Sequence, residues 1–119
     1  MYDSAGIFVP SDNPDRIKSA SAQKWGKYNI AGMDRLPAGE FKTIHAGFDP
    51  EAMCAVPDRG IPLDAMRAYE KEGKFAKLYD YYYVTVGTGT TQNYAAKFGK
   101  EIAAELKQAG VDAVILTST

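Results

Sequence analysis

The single histidine of this 119-residue chain, His45, comes at the end of a predicted strand over residues 41–45, with Gly47 close behind it. Strand ends form the functional edge of an α/β sheet, and an imidazole with an ordinary pKa of about 6.5 suits general acid–base chemistry. A lone histidine near a strand end is more often a hydrogen-bonded structural residue, and both interpretations stay open. No carboxylates are spaced to complete a metal site with it, so we predict none.

A glycine- and threonine-rich segment joins a predicted strand over residues 78–86 to a predicted helix over residues 91–108. Glycines there permit positive φ, and free backbone N–H groups at a helix start attract anions. The third glycine of the dinucleotide fingerprint and the Lys-Ser/Thr of a P-loop are missing. The alternative is a tight turn whose threonines cap the helix. The candidate anion-binding residues are Gly87, Thr88, Gly89, Thr90 and Thr91.

Hydroxyl side chains follow an apolar run at residues 111–116, namely Thr117, Ser118 and Thr119. No base stands beside them and Ser118 lacks the Gly-x-Ser-x-Gly elbow, so a nucleophilic role is disfavoured. Cys54 is the only cysteine, which excludes an internal disulfide, and we assign it no catalytic role. No resident cofactor is expected in this chain.

Three consecutive tyrosines, at residues 81–83, lie in the predicted strand over residues 78–86. Tyrosine rings can wall a trimethylammonium group, but packing in the core of a strand is the more common use of such residues.

The periodicity of the chain predicts an α/β fold. The helix over residues 91–108 has Gly110 as its stop, and residues 111–119 resemble a buried strand. Strand, glycine loop, helix and strand then form one right-handed, parallel βαβ unit of a Rossmann-like open sheet. The expected buried stripe of the helix is Ala95, Phe98, Ile102, Leu106 and Ala109, and its expected outer residues are Lys97, Lys100, Glu101, Glu105 and Lys107.

The first half of the chain carries weaker signals. We expect a strand over residues 5–9, a mostly irregular stretch over residues 19–40 that Trp25 and Tyr28 pin to the body, and a loop over residues 51–60. A helix starting at Pro62 and stopping at Gly73 should bury Leu63, Met66 and either Tyr69 or Glu70.

Composition excludes several classes of partner. The chain is 45% hydrophobic with a net charge of -1 and no basic block, so nucleic acid and anionic membrane surfaces are disfavoured. No apolar stretch approaches the roughly 20 residues of a membrane span, and the N-terminus lacks the basic start of a signal peptide. A cytoplasmic protein is expected.

Several segments together resemble selenoprotein B of the glycine, sarcosine and betaine reductases, with D-proline reductase a more distant relative. The resemblance extends from about Ile7 to the end of the chain. Its clearest segments are His45-Ala46-Gly47-Phe48-Asp49-Pro50, residues 81–91, Lys24-Trp25-Gly26-Lys27-Tyr28 and residues 111–119.

The resemblance implies reductive deamination of a small amine, an oxidoreductase activity. A pyruvoyl group on a partner subunit of protein B would activate the amine, a selenolate would attack the α-carbon, and the carboxymethyl group would pass to selenoprotein A. The family's selenocysteine follows the segment that resembles residues 115–119, and then comes Gly-Thr-Cys-x-x-Cys. Thr117, Ser118, Thr119, His45 and Gly47 would then be neighbours of the reaction centre.

Selenocysteine is encoded by UGA, so we expect residues 1–119 to be a single partial domain read up to that codon, and inactive alone. We also expect it to self-associate through the strands left uncovered. The alternative is a non-catalytic α/β module that binds a small anion at residues 87–91.

Overall fold

The computed structural model describes residues 9–10, 20–43, 49–87 and 89–117. Its elements, in chain order, are strand β1 (Val9–Pro10), strand β2 (Gly26–Asn29), strand β3 (Phe41–Lys42), helix α1 (Glu51–Ala55), a 3-10 turn (Pro57–Arg59), helix α2 (Leu63–Lys71), strand β4 (Tyr81–Val84) and helix α3 (Gln92–Gln108).

Strand β2 pairs antiparallel with β4, with Lys27 opposite Tyr83 and Tyr28 opposite Tyr82. The sequence predicts residues 19–40 to be mostly irregular, and apart from this four-residue strand and isolated bridges the described residues 20–40 are irregular or in turns. Glycine, lysine and asparagine have low strand propensity, and the pairing with a distant partner overrides that local preference. A second antiparallel pair, β1 with β3, aligns Val9 with Lys42. The strand predicted over residues 5–9 lies mostly outside the described residues.

The core lies on the inner face of the β2–β4 pair. Tyr28 and Tyr82 face inward with their ring centroids 5.4 Å apart. This confirms that Tyr28 pins its segment to the body. The other buried members of the core are Ala20, Ile30, Leu36, Phe41, Leu63, Val84 and Val86.

Residues 51–60 contain α1 and the 3-10 turn, so the loop predicted there is wrong. The turn residues around Pro57 suggested a loop, yet a 3-10 turn uses the same residue types. The Asp58 carboxylate accepts hydrogen bonds from the backbone N–H of Leu36, at 3.2 Å, and of Asp64, at 3.1 Å. These bonds join the turn to the start of α2 and to the preceding loop.

Helix α2 confirms the prediction of a helix that stops at Gly73, whose φ is +72°. Glu70 rather than Tyr69 faces inward, and Tyr69 is 51% exposed. The Glu70 carboxylate accepts 2.8 Å hydrogen bonds from the Leu78 N–H and from Arg67, which hold its pKa below the usual glutamate value. The Glu70 carboxylate therefore connects the end of α2 to the residues just before β4.

Helix α3 begins and ends close to the predicted bounds, but its buried face is narrower than predicted. Phe98 is buried, while Ala95 and Ala109 are exposed. Glu105, expected on the outside, is half-buried against the sheet. Periodicity identified the helix; it did not show how polar the facing surface of β2 is.

Residues 111–117 follow α3 without strand pairing in the described part of the chain. Val114, Ile115 and Leu116 are 57%, 60% and 90% exposed, so the predicted buried strand is wrong for these residues in this structure. A central strand needs neighbours on both edges to bury such a run, and the described residues supply none. The parallel βαβ unit and the Rossmann-like sheet stay predictions.

None of the helices in the described ranges combines the length and the apolar character needed to cross a bilayer.

Candidate functional site

A groove of about 340 Å³ lies where β4, the start of α2, the second half of α3 and residues 111–117 meet. Its described lining contains aliphatic side chains, tyrosine rings and the threonines Thr85 and Thr117, and no charged side chain. A space of this size and character suits a small, largely apolar group and offers few hydroxyls to orient it.

Thr117 is the one predicted neighbour of the reaction centre that the described residues place, and it lies in the lining of this groove. His45, Gly47, Ser118 and Thr119 fall outside the described residues. The structure therefore joins Thr117 to the groove and leaves the other four positions as predictions.

The loop before α3 has the geometry of a capped turn. Gly89 has a φ of +79°, the Thr90 N–H donates to the Gly87 carbonyl at 3.1 Å, and the Thr90 hydroxyl donates to the Val86 carbonyl. The Thr91 hydroxyl accepts from the Tyr94 N–H at 3.4 Å and caps the helix. These hydroxyls already serve the turn, as the capping alternative predicts. Thr88 lies outside the described residues, and the anion site stays a prediction.

The three consecutive tyrosines have different environments. Tyr82 is buried against Tyr28, and burial raises its pKa above the ordinary tyrosine value. Tyr83 contacts the Trp25 ring at a centroid distance of 5.5 Å. Burial, with hydrogen bonds to Tyr79 and Glu105, raises the pKa of Tyr83 to about 12. Core packing thus explains Tyr82, while Tyr81 is partly exposed and Tyr83 contacts Glu105 of α3.

A cation does lie over the rings of Tyr81 and Tyr83, and it belongs to the chain itself. The Lys27 Nζ is 4.6 Å from the Tyr81 ring centroid and 5.6 Å from that of Tyr83. It also lies 2.7 Å from the Glu105 carboxylate. The hydrogen bond to Glu105 raises the pKa of Lys27 above the ordinary lysine value, and it lowers the pKa of Glu105.

This cluster of Trp25, Lys27, Glu101 and Glu105 was not predicted from the sequence, although two spacing patterns were consistent with it. Trp25 and Lys27 are two apart, which places them on one face of a strand, and Glu101 and Glu105 are four apart, which places them on one face of a helix. Neither pattern says that the two faces meet.

Within the described ranges, His, Cys, Asp and Glu side chains form no group that could hold a metal ion. The Cys54 Sγ lies 3.8 Å from the Thr43 carbonyl oxygen on a half-buried face of α1.

The model of the family described as glycine/sarcosine/betaine reductase selenoprotein B matches residues 1–119. The chain is 61% identical over 114 residues to the betaine reductase complex component B subunit beta of Peptoclostridium acidaminophilum, covering 96% of this chain and 26% of that protein. It is 56% identical over 115 residues to the glycine reductase complex component B subunit gamma of Carboxydothermus hydrogenoformans, covering 97% and 26%.

A third relative, the sarcosine reductase complex component B subunit beta of Peptoclostridium acidaminophilum, is 46% identical over 115 residues, covering 97% and 26%. The chain therefore spans about a quarter of the length of these curated relatives. No solved structure matches it.

Proposed function

Because this chain belongs to the glycine/sarcosine/betaine reductase selenoprotein B family, we propose that it forms part of the substrate-specific subunit of such a reductase. The observation that carries the proposal is the match of the family model to residues 1–119. Relatives named for each of the three amines align with nearly the whole chain, so the substrate is a small amine of this kind.

The proposed reaction is reductive deamination. The bond between the amine nitrogen and the α-carbon breaks, and the carboxymethyl group passes to selenoprotein A. The pyruvoyl group of a partner subunit would activate the amine nitrogen so that it can leave the α-carbon. A selenolate attacks the α-carbon, and a selenol loses its proton near neutral pH without help from a neighbouring base. The protein around it is then needed for orientation more than for activation.

The described residues fit the orienting part of this task. Thr117 lines the groove, and the proposal places it beside the selenolate that follows the family segment resembling residues 115–119. A threonine hydroxyl is a hydrogen-bond donor suited to an anionic selenolate. The uncharged groove beside it accommodates the methyl and methylene groups of a small amine.

The non-catalytic alternative, a module binding a small anion at residues 87–91, gains no specific observation. The hydroxyls of Thr90 and Thr91 are engaged in the turn and the cap. The family match favours the reductase proposal.

Reading the genomic DNA past the Thr119 codon tests the proposal. We expect TGA, with the same frame continuing into Gly-Thr-Cys-x-x-Cys and a further α/β stretch. A different stop codon, or no open frame beyond it, would contradict the assignment to a selenoprotein.

A further inference from the structure

Two side chains at the start of β2, two residues apart, form hydrogen bonds with two carboxylates of α3 that are four residues apart. The Trp25 Nε1 donates to the Glu101 carboxylate at 2.8 Å, and the Lys27 Nζ donates to the Glu105 carboxylate at 2.7 Å. Residues two apart on a strand are separated by about 6.7 Å and residues four apart on a helix by about 6 Å. The two hydrogen bonds can therefore form at the same time only when β2 lies alongside α3 with Trp25 opposite Glu101 and Lys27 opposite Glu105.

On the strand side, both side chains have further contacts with tyrosine rings. The Trp25 ring contacts Tyr83, and the Lys27 ammonium is confined between the Glu105 carboxylate and the rings of Tyr81 and Tyr83. The Tyr83 hydroxyl donates to the same Glu105 oxygen at 3.1 Å. Because Tyr83 is also the cross-strand partner of Lys27, both strands of the sheet are joined to Glu105.

The helix side of these contacts lies next to the groove. Leu106, the residue after Glu105, lines the groove and accepts a 3.0 Å hydrogen bond from the Val111 N–H. With Gly110 at a φ of +71°, this bond closes the helix end and sets the direction in which residues 111–117 leave it. Val111 and Thr117 line the same groove.

We infer that Trp25 and Lys27 are positioning residues that hold the second half of α3, and through it Thr117, in place beside the groove. They act through Glu101 and Glu105 and touch neither substrate nor reacting atoms. The inference gives a task to the Trp25-Gly26-Lys27 segment, which the proposed chemistry does not otherwise use. Its functional part rests on the proposed function; its structural part does not.

Hydrogen exchange of the 119-residue chain tests the structural part. Lys27→Met, which keeps an apolar stem and removes the ammonium, should speed exchange of the amides in residues 106–111 by about tenfold. Lys27→Arg should restore protection. Lys100→Met, on an exposed site of α3, is the matched control and should change nothing. Equal exchange in Lys27→Met and Lys100→Met would overturn the inference.

A double variant distinguishes loss of the Lys27–Glu105 interaction from general destabilisation of the fold. If Lys27 acts through Glu105, then Lys27→Met with Glu105→Gln should exchange no faster than Lys27→Met alone. Additive effects of the two substitutions would also overturn the inference.

Kinetics of the complete subunit, assembled with its partner subunits, test the functional part. Misplacement of an orienting group lowers kcat more than it raises KM, and we expect Lys27→Met to lower kcat about tenfold with KM within about twofold. Lys27→Arg should recover most of kcat. A normal kcat together with faster exchange would overturn the positioning role, whereas an inactive wild-type complex would instead count against the proposed function.

Discussion

Glu105 joins the sheet to α3, and the next residue, Leu106, lines the groove. The Glu105 carboxylate accepts from Lys27 at 2.7 Å and from Tyr83 at 3.1 Å, and the bond from Lys27 lowers its pKa. A carboxyl whose pKa is lower in the folded state stabilises that state above its unfolded pKa of about 4.3, and the benefit is lost as pH falls through the folded value. The Lys27–Glu105 pair therefore stabilises the folded state at neutral pH, and this contribution is lost in acid.

The titration of Glu105 can be followed by NMR of its side-chain carboxyl carbon. In the unmodified chain Glu105 should titrate below the ordinary glutamate value of about 4.3, because the ammonium of Lys27 stabilises the carboxylate. Lys27→Met should move the titration upward, and Lys100→Met should leave it unchanged. An ordinary Glu105 titration in the unmodified chain would refute this description of the pair.

Gly26 is the residue that lets the Tyr28 ring lie flat against the inner face of β2. A Cβ at Gly26 would be 2.9 Å from the Tyr28 ring, which is held in the core against Tyr82. We expect Gly26→Ala to lower the free energy of unfolding by about 1–3 kcal/mol, measured in urea.

Gly99 provides the matched control for that substitution. A Cβ there meets nothing within 4 Å, and the residue lies in the middle of α3. Gly99→Ala should raise the free energy of unfolding by about 0.5–1 kcal/mol through helix propensity. Similar losses in both variants would show that the ring contact is not the cause.

At the scale of elements, local signals predicted α2, α3, β3 and β4, and they missed α1 and β2. Helices α2 and α3 carry their own stop signals, Gly73 and Gly110, both at positive φ. Strand β2 depends on pairing with β4, more than 50 residues away, and its sequence alone reads as irregular. The groove likewise depends on how α2, α3 and residues 111–117 come together, so Thr117 could be proposed from the sequence but its surroundings could not.

Substitution of Thr91, the residue before α3, tests whether its hydroxyl stabilises the helix start. Thr91→Ala removes the hydroxyl that accepts from the Tyr94 N–H, so the free energy of unfolding should fall by about 1 kcal/mol. Thr91→Ser keeps an acceptor and should remain within a few tenths of a kcal/mol of the unmodified chain. Thermal or urea unfolding measures both, and equal stability of the alanine variant would mean that the cap contributes nothing.

At the scale of the whole molecule, the described residues leave an apolar area of the surface exposed to solvent. Ile115 and Leu116 are 60% and 90% exposed beside the largely apolar groove. Exposed apolar surface of this kind recruits other chains.

Light scattering at micromolar concentration should therefore show association of the 119-residue chain. Replacing two exposed side chains with charged ones, Ile115→Glu with Leu116→Lys, should shift it toward monomer because the contact then buries charge. A strictly monomeric unmodified chain, stable over days, would contradict the prediction.

The reductase assignment is tested most directly by measuring acetyl phosphate release under reducing conditions. The complete subunit that carries this sequence is assembled with the pyruvoyl-containing subunit, selenoprotein A and the component that transfers the acetyl group to phosphate, in buffer containing inorganic phosphate. The complex is supplied in turn with glycine, sarcosine and betaine. We predict release from at least one of these amines, and none when the 119-residue chain replaces the complete subunit. An assembled complex that releases no acetyl phosphate from any of the three, or turnover by the 119-residue chain at the rate of the complete subunit, would contradict the assignment.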